Sequence, residues 1–149
     1  MRKLSLVVVL LVMGVSGSFA QIFEPVKWQF GSKKISETEA VVFMKAVIDD
    51  GWHIYSQTVG DGGPIKTSFT FTPSKDFSLV GKTAEPKPRI KYEEVFDMDV
   101  PYFSKEVVFQ QRVKLNKGQT TVRGIVEFMA CDAQQCLPPE EVPFVIAIK

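Results

Sequence analysis

Cys131 and Cys136 are the only cysteines in the chain, with Asp132-Ala133-Gln134-Gln135 between them. Three chemistries fit such a pair. As a structural staple it is inefficient, because in the chain-entropy account a ring of about six residues contributes ~2 kcal/mol against ~4 for a ring of about sixty. It also cannot be the inter-sheet bridge of antibody domains, which joins strands far apart in sequence. As metal ligands the two thiolates need further strong donors. His53 is the single histidine, so a tetrahedral zinc site would have to draw on carboxylates. As a redox pair, a small ring that opens at little cost exchanges with a partner's thiols through a mixed disulfide. That chemistry needs an accessible sulfur that ionises readily, and a loop between two strands exposes one better than a strand centre does. The redox reading is the favoured one.

The compartment supports it. Arg2 and Lys3 form a short positive segment, Leu4 to Val12 is apolar apart from Ser5, and Ser18-Phe19-Ala20 places small residues around a cleavage position. This pattern predicts a secretory signal peptide over residues 1–20, cleaved after Ala20. The apolar run fades into Gly14, Ser16, Gly17 and Ser18, well short of the ~20 residues a membrane span requires. No direct membrane anchor is therefore expected. Outside the cytosol a cysteine pair can stay oxidised.

Composition excludes other classes. At 45% hydrophobic, 11% aromatic and 23% charged residues the chain is of ordinary globular type. Eighteen basic residues against seventeen acidic leave a formal charge of +1, and loss of Arg2 and Lys3 turns it to −1. Nothing in this balance points to nucleic acid, an anionic membrane or a highly acidic substrate.

The elements that must hold the pair read as strands, because short windows alternate or run apolar with β-branched and aromatic residues and none keeps a helical repeat. The windows are Val26 to Phe30, Glu39 to Ile48, Trp52 to Ser56, Thr67 to Thr72, Val107 to Lys114, Thr120 to Met129 and Pro143 to Ile148. Breakers separate them at Asp49-Asp50-Gly51, Gly60-Asp61-Gly62-Gly63-Pro64, Pro73-Ser74, Pro86-Lys87-Pro88 and Pro138-Pro139. The pattern predicts an all-β, immunoglobulin-like antiparallel sandwich, with residues 21–149 as one domain. Asn116-Lys117-Gly118-Gln119 is read as the turn of a hairpin, with Gly118 free to take positive φ. Lys82 to Val100 is read as a long loop, and long loops on a rigid scaffold often carry function.

Three patches together resemble a known family. The segment Glu127-Phe128-Met129-Ala130-Cys131-Asp132-Ala133-Gln134-Gln135-Cys136-Leu137-Pro138-Pro139-Glu140 is similar to the catalytic segment of the N-terminal periplasmic domain of the thiol:disulfide interchange protein DsbD. Asp50-Gly51-Trp52-His53-Ile54-Tyr55-Ser56-Gln57 is similar to that domain's aromatic strand near the cysteines, and Tyr92-Glu93-Glu94-Val95-Phe96 to its cap loop. Order and approximate spacing agree from about Trp28 to Lys149.

The resemblance implies an immunoglobulin-like domain with a redox hairpin and a cap loop. Its cysteine pair would receive electrons from a membrane-embedded thiol-disulfide reductase with a thioredoxin-like domain, and pass them to periplasmic thioredoxin-fold proteins. Cys136 matches the cysteine that exchanges with the partner, and Cys131 the resolving one. Phe96 matches the cap residue that shields the disulfide, Tyr55 an aromatic beside the pair, and Glu94 an acidic residue near the sulfurs. No cofactor and no metal is implied. Three departures stand out: four residues lie inside the ring where five are usual, Val95 stands where an acidic residue is usual, and His53 where an aromatic is. The sequence carries no transmembrane helices and no thioredoxin-like segment beside this module, so the donor is expected to be another polypeptide.

Each remaining residue also has a plainer reading. His53, between Trp52 and Ile54, reads as a strand residue with a satisfied imidazole or as a group tuning the cysteines. Phe96 reads as a loop anchor, Tyr55 and Trp52 as core or rim aromatics, and Glu93-Glu94 as a solvated pair. The rival from another class is a non-catalytic immunoglobulin-like binding or assembly domain whose hairpin disulfide merely holds a loop.

Overall fold

The computed structural model describes residues 22–149. The expected signal peptide, residues 1–20, lies outside the described residues. Those that are described form eleven strands and no helix: β1 (Val26–Lys34), β2 (Glu39–Ile48), β3 (His53–Tyr55), β4 (Ser68–Phe71), β5 (Phe77–Ala84), β6 (Arg89–Glu93), β7 (Met98–Ser104), β8 (Glu106–Leu115), β9 (Thr120–Phe128), β10 (Ala130–Cys131) and β11 (Glu140–Ile148).

Two antiparallel sheets, in the orders β1-β2-β8-β5 and β11-β9-β4, enclose the main core. Strict alternation along β8 and β11 turns Val107, Phe109, Val113 and Leu115 inward from one sheet and Phe144, Ile146 and Ile148 from the other. Period-two patterning of this kind buries one face of each strand and leaves the other to solvent. The result is the expected immunoglobulin-like sandwich. Gly51 and Gly62 take φ of 83° in two of the expected turns, where a side chain would be strained.

A third antiparallel sheet, in the order β10-β3-β7-β6, was not expected, and it positions the cysteines. Two strands of the sandwich feed it. The segment after β9 leaves its sheet at Met129 and pairs with β3 as β10. The segment after β7 enters the first sheet through Lys105, whose φ of 67° makes the corner and whose carbonyl accepts the Ile48 N–H at 2.7 Å. Tyr55, Val100, Met129 and Cys131 form a small second core beneath this sheet.

Two expectations are corrected here. Residues 116–119 do not close a hairpin: β8 pairs with β2 and β5, β9 pairs with β11 and β4, and the segment carries the chain from one sheet to the other. Gly118 is not among the positive-φ glycines. Alternation identified both strands but carries no information about which neighbour each one bonds. The stretch from Lys82 to Val100 is not a long loop either. It holds the end of β5 and the antiparallel hairpin of β6 and β7, paired from Arg89↔Tyr102 to Glu93↔Met98. β5 carries no alternating signal, being fully buried only at Phe77, and its pairing with β8 shifts register between Val80 and Ala84, around Gly81 at φ 71°. The buried Gln111 side chain satisfies that irregularity, its Nε2 donating to the carbonyls of Val80 and Gly81.

Candidate functional site

Cys131 and Cys136 are joined in a disulfide, with Cα atoms 4.0 Å apart. The loop between them is tightly folded. Asp132 N–H donates to the Gln135 carbonyl at 2.8 Å, and Asp132 Oδ1 accepts the N–H groups of Gln134 and Gln135 at 2.8 and 2.7 Å. Those two backbone donors hold the Asp132 carboxyl below the usual carboxylate range. An aspartate stabilising a turn through its own following backbone is a local device, and here it sets the shape of the ring. Leu137 N–H donates to the Ala130 carbonyl at 2.9 Å, and Pro138-Pro139 then returns the chain to β11. The cysteine loop is thus the displaced tip of the β9–β11 hairpin.

The two sulfur positions are not equivalent. Cys131 is 2% exposed and belongs to the second core, whereas Cys136 is exposed. A cleft of about 240 Å³ opens over them, lined by the cysteine loop, by His53 and Tyr55 of β3, and by Glu93, Val95 and Phe96 at the end of the β6–β7 hairpin.

Register explains how β3 takes part. His53 lies opposite Cys131 and Ile54 opposite Ala130, while on its other side β3 pairs with β7 through Tyr55↔Tyr102. Directly opposed residues in an antiparallel pair project to the same face, so β3 brings His53, and Tyr55 two residues on, beneath the cleft. The imidazole stands edge-on to Tyr55, 5.2 Å between centroids, and against Tyr102 at 5.5 Å. His53 Nε2 and the Tyr55 hydroxyl share a 3.0 Å hydrogen bond. Glu93 Oε1 lies 4.0 Å from the same nitrogen and 3.4 Å from Lys91 Nζ. Burial lowers the His53 pKa below 6.5, and the attraction of Glu93 only partly offsets it. Burial, with the Glu93 charge added, pushes the Tyr55 hydroxyl up to about 12. Near neutral pH the cleft therefore holds a neutral imidazole and a protonated phenol.

The cap is the connection Glu94-Val95-Phe96-Asp97 between β6 and β7. Phe96 N–H donates to the Glu93 carbonyl at 3.1 Å and Asp97 N–H to the Glu94 carbonyl at 3.2 Å. Asp97 takes φ 50°, and its carboxylate accepts the Tyr92 hydroxyl. Phe96 is part-buried at the cleft, and Val95, 87% exposed, stands at its rim.

Of the residues singled out from sequence, Cys131, Cys136, Phe96, Tyr55 and His53 all line this one cleft. Glu94 does not: it is exposed on the turn, and the carboxylate that faces the cleft is Glu93. Sequence offered no signal that prefers Glu93 to Glu94, because alternation says which residues share a face but not which face meets the cleft. Asp132 was passed over as well, although aspartate at the head of a tight turn is a recognisable pattern.

Residues 21–146 match the family model described as "Thiol:disulfide interchange protein DsbD, N-terminal". The chain belongs to this family. The DsbD N-terminal family takes part in thiol-disulfide exchange with partner proteins. No curated protein matches the chain. Among solved structures it is similar to the DsbD N-terminal domain of Neisseria meningitidis in its reduced form, at 17% identity and a TM-score of 0.54, covering 83% of this chain and 85% of that one. It is also similar to the N-terminal periplasmic domain of ScsB from Proteus mirabilis, at 17% identity and a TM-score of 0.60, covering 85% of this chain and spanning 47% of that one. A third is the complex between the DsbD and PilB N-terminal domains from Neisseria meningitidis, at 17% identity and a TM-score of 0.50, covering 78% and 80%. At such identities the likeness is one of fold. Among the described residues no helix is long and apolar enough to cross a membrane.

Proposed function

We propose that this DsbD-family domain is a periplasmic thiol-disulfide exchange module in which Cys136 is the sulfur that partners attack and Cys131 is the resolving sulfur. The observation that carries the reading is the asymmetry of the pair, Cys136 an exposed residue lining a shaped cleft and Cys131 a buried one. Exchange requires access to one sulfur, and burial of the other keeps it for the intramolecular step.

Electrons arrive from a membrane-embedded reductase through its thioredoxin-like domain. A reductase thiolate attacks Cys136 Sγ, the Cys131–Cys136 bond breaks, and Cys131 leaves with the electron pair and takes up a proton. The reductase's second thiolate then attacks its own sulfur in the mixed disulfide, releasing Cys136 as thiolate and leaving the reductase oxidised. In the second half-reaction the Cys136 thiolate attacks the disulfide of a periplasmic thioredoxin-fold protein and displaces one of its sulfurs as thiolate. Cys131 loses its proton and attacks Cys136 Sγ, the ring closes, and the partner leaves carrying both electrons. No cofactor is required, because the electrons travel in sulfur–sulfur bonds. The existence of a complex between relatives, that of the DsbD and PilB N-terminal domains, supports a protein as the exchanging partner. The family, and the periplasmic setting of the ScsB domain, support the compartment, with the signal peptide cleaved after Ala20.

The test is trapping. A Cys131→Ala variant incubated with a thioredoxin-fold protein that keeps only its exposed cysteine, activated as a thionitrobenzoate disulfide, is expected to accumulate a mixed disulfide through Cys136, visible as a reducible band on a non-reducing gel, and Cys136→Ala is expected to form none. If Cys131→Ala traps nothing, the disulfide is a loop fastener and the domain is a binding module.

A further inference from the structure

Closing the ring demands a proton transfer for which the exchange reading names no acceptor. Only a thiolate attacks a disulfide, yet Cys131 sits in the second core at 2% exposure, and apolar burial disfavours the charged form. A group beside it must take the proton as the attack begins. Imidazole is the side chain whose basicity suits proton transfer from a thiol near neutral pH.

We propose that His53 is the proton acceptor for Cys131, taking the thiol proton as Cys131 Sγ attacks the mixed disulfide and returning it to Cys131 when the pair is reduced. The assignment rests on the exchange reading above and deepens it. Its geometry is the β3–β10 register, which sets His53 directly opposite Cys131 with Cβ atoms about 4.5–5.5 Å apart, as opposed residues in antiparallel strands are. Both residues line the same cleft. The ring is held in place by the 3.0 Å hydrogen bond shared between Nε2 and the Tyr55 hydroxyl and by edge contacts with Tyr55 and Tyr102.

The charges around His53 suit a proton that comes and goes. Glu93 of β6, 4.0 Å from Nε2, stabilises the imidazolium once formed, and Asp132 at the end of β10 acts in the same sense. Lys91 of β6 opposes it, and Asp49, Asp50 and Lys105 line the groove on the other side of His53. With burial the largest influence, the imidazole is neutral near pH 7 and ready to accept.

The balance is complete. The Cys131 S–H bond breaks and its proton goes to the imidazole; the Cys131–Cys136 bond forms; the Cys136–partner bond breaks, and its electron pair leaves on the partner thiolate. Thiolate and imidazolium arise together in the first step. The overall charge therefore does not change, and the reactive form persists across neutral pH. A cysteine without such an acceptor gains thiolate about tenfold per pH unit until it is ionised.

The experiment uses the reduced mature protein and Ellman's reagent, a small aromatic disulfide, in a stopped-flow instrument. The first thionitrobenzoate released reports attack by Cys136, and the second reports ring closure by Cys131. In the wild type the second-phase rate is expected to rise through the imidazole titration, below pH 6.5, and then to stay level to pH 8. In His53→Gln it is expected to be on the order of tenfold slower at pH 7 or more, and to climb about tenfold per unit from pH 6 to 8.

A wild-type second phase that climbs like a free thiol, or a His53→Gln protein that keeps the level profile, overturns the proposal. The wild-type profile needs no substitution, so it decides even if the variant folds poorly. The exchange reading fails separately: Cys131→Ala would then trap no single-cysteine thioredoxin-fold partner, whatever the second-phase profile.

Discussion

At the scale of single residues, His53 couples the site to pH in a second, independent way. Its folded-state pKa lies below 6.5 because burial disfavours the imidazolium more than Glu93 favours it. The unfolded chain therefore binds more protons than the folded one between that lowered value and 6.5. Stability rises with pH across this window and falls on acidification through it. The wild-type protein is expected to lose urea resistance between pH 7.5 and 5.5 to a greater extent than His53→Gln, whose residue 53 does not titrate. Equal losses, read from urea midpoints at the two pH values, would show that His53 is as well solvated as in the unfolded chain.

At the scale of elements, the β6–β7 hairpin decides how open the disulfide is. The four-residue turn is braced by the Phe96 and Asp97 amide hydrogen bonds and by the Tyr92–Asp97 contact, so Phe96 is presented to the cleft from a fixed frame. Thiol-disulfide exchange depends on which sulfur can be reached, and a part-buried ring at the cleft restricts that reach. Phe96→Ala is expected to raise the rate at which glutathione reduces the Cys131–Cys136 disulfide by roughly threefold to tenfold, equivalent to about 1 kcal/mol of barrier. The protein should remain folded, because Phe96 lies outside both buried cores. An unchanged glutathione rate would mean that Phe96 anchors the turn and shields nothing.

At the scale of the whole molecule, the site depends on the sandwich behind it. Gly124 of β9 pairs with Phe144 of β11 on one side and Phe71 of β4 on the other. A Cβ there would lie 2.5 Å from both the Phe144 ring and the Thr70 carbonyl oxygen. The oxygen is backbone and cannot swing aside, so glycine is required by close approach and not by its torsions. Gly124→Ala is expected to cost about 1–3 kcal/mol, measured as a lower urea midpoint. Because β9 continues through Met129 into β10, the same substitution is expected to make Cys131 easier to reduce. Unaltered stability would show that β4 and β9 separate freely, contrary to their pairing.

The sequence by itself determined the strands whose faces differ, because alternation records burial along one strand without reference to its neighbours. Glu39–Ile48 came out with the same bounds, and β8, β9 and β11 were recognisable from the same signal. It also determined the cysteine pair, since no other thiols compete for that role. Tertiary structure alone decided the rest. Pairing partners are long-range choices, so a turn-like Asn116-Lys117-Gly118-Gln119 became a crossing between sheets, and a proline-rich stretch became the hairpin that carries the cap. The departure of β10 from the β9 sheet at Met129 buried Cys131, left Cys136 exposed and set His53 against the buried sulfur. Glu93 rather than Glu94 faces the cleft for the same reason: which of two adjacent residues points inward is fixed by strand register, and register exists only once β6 has found β7.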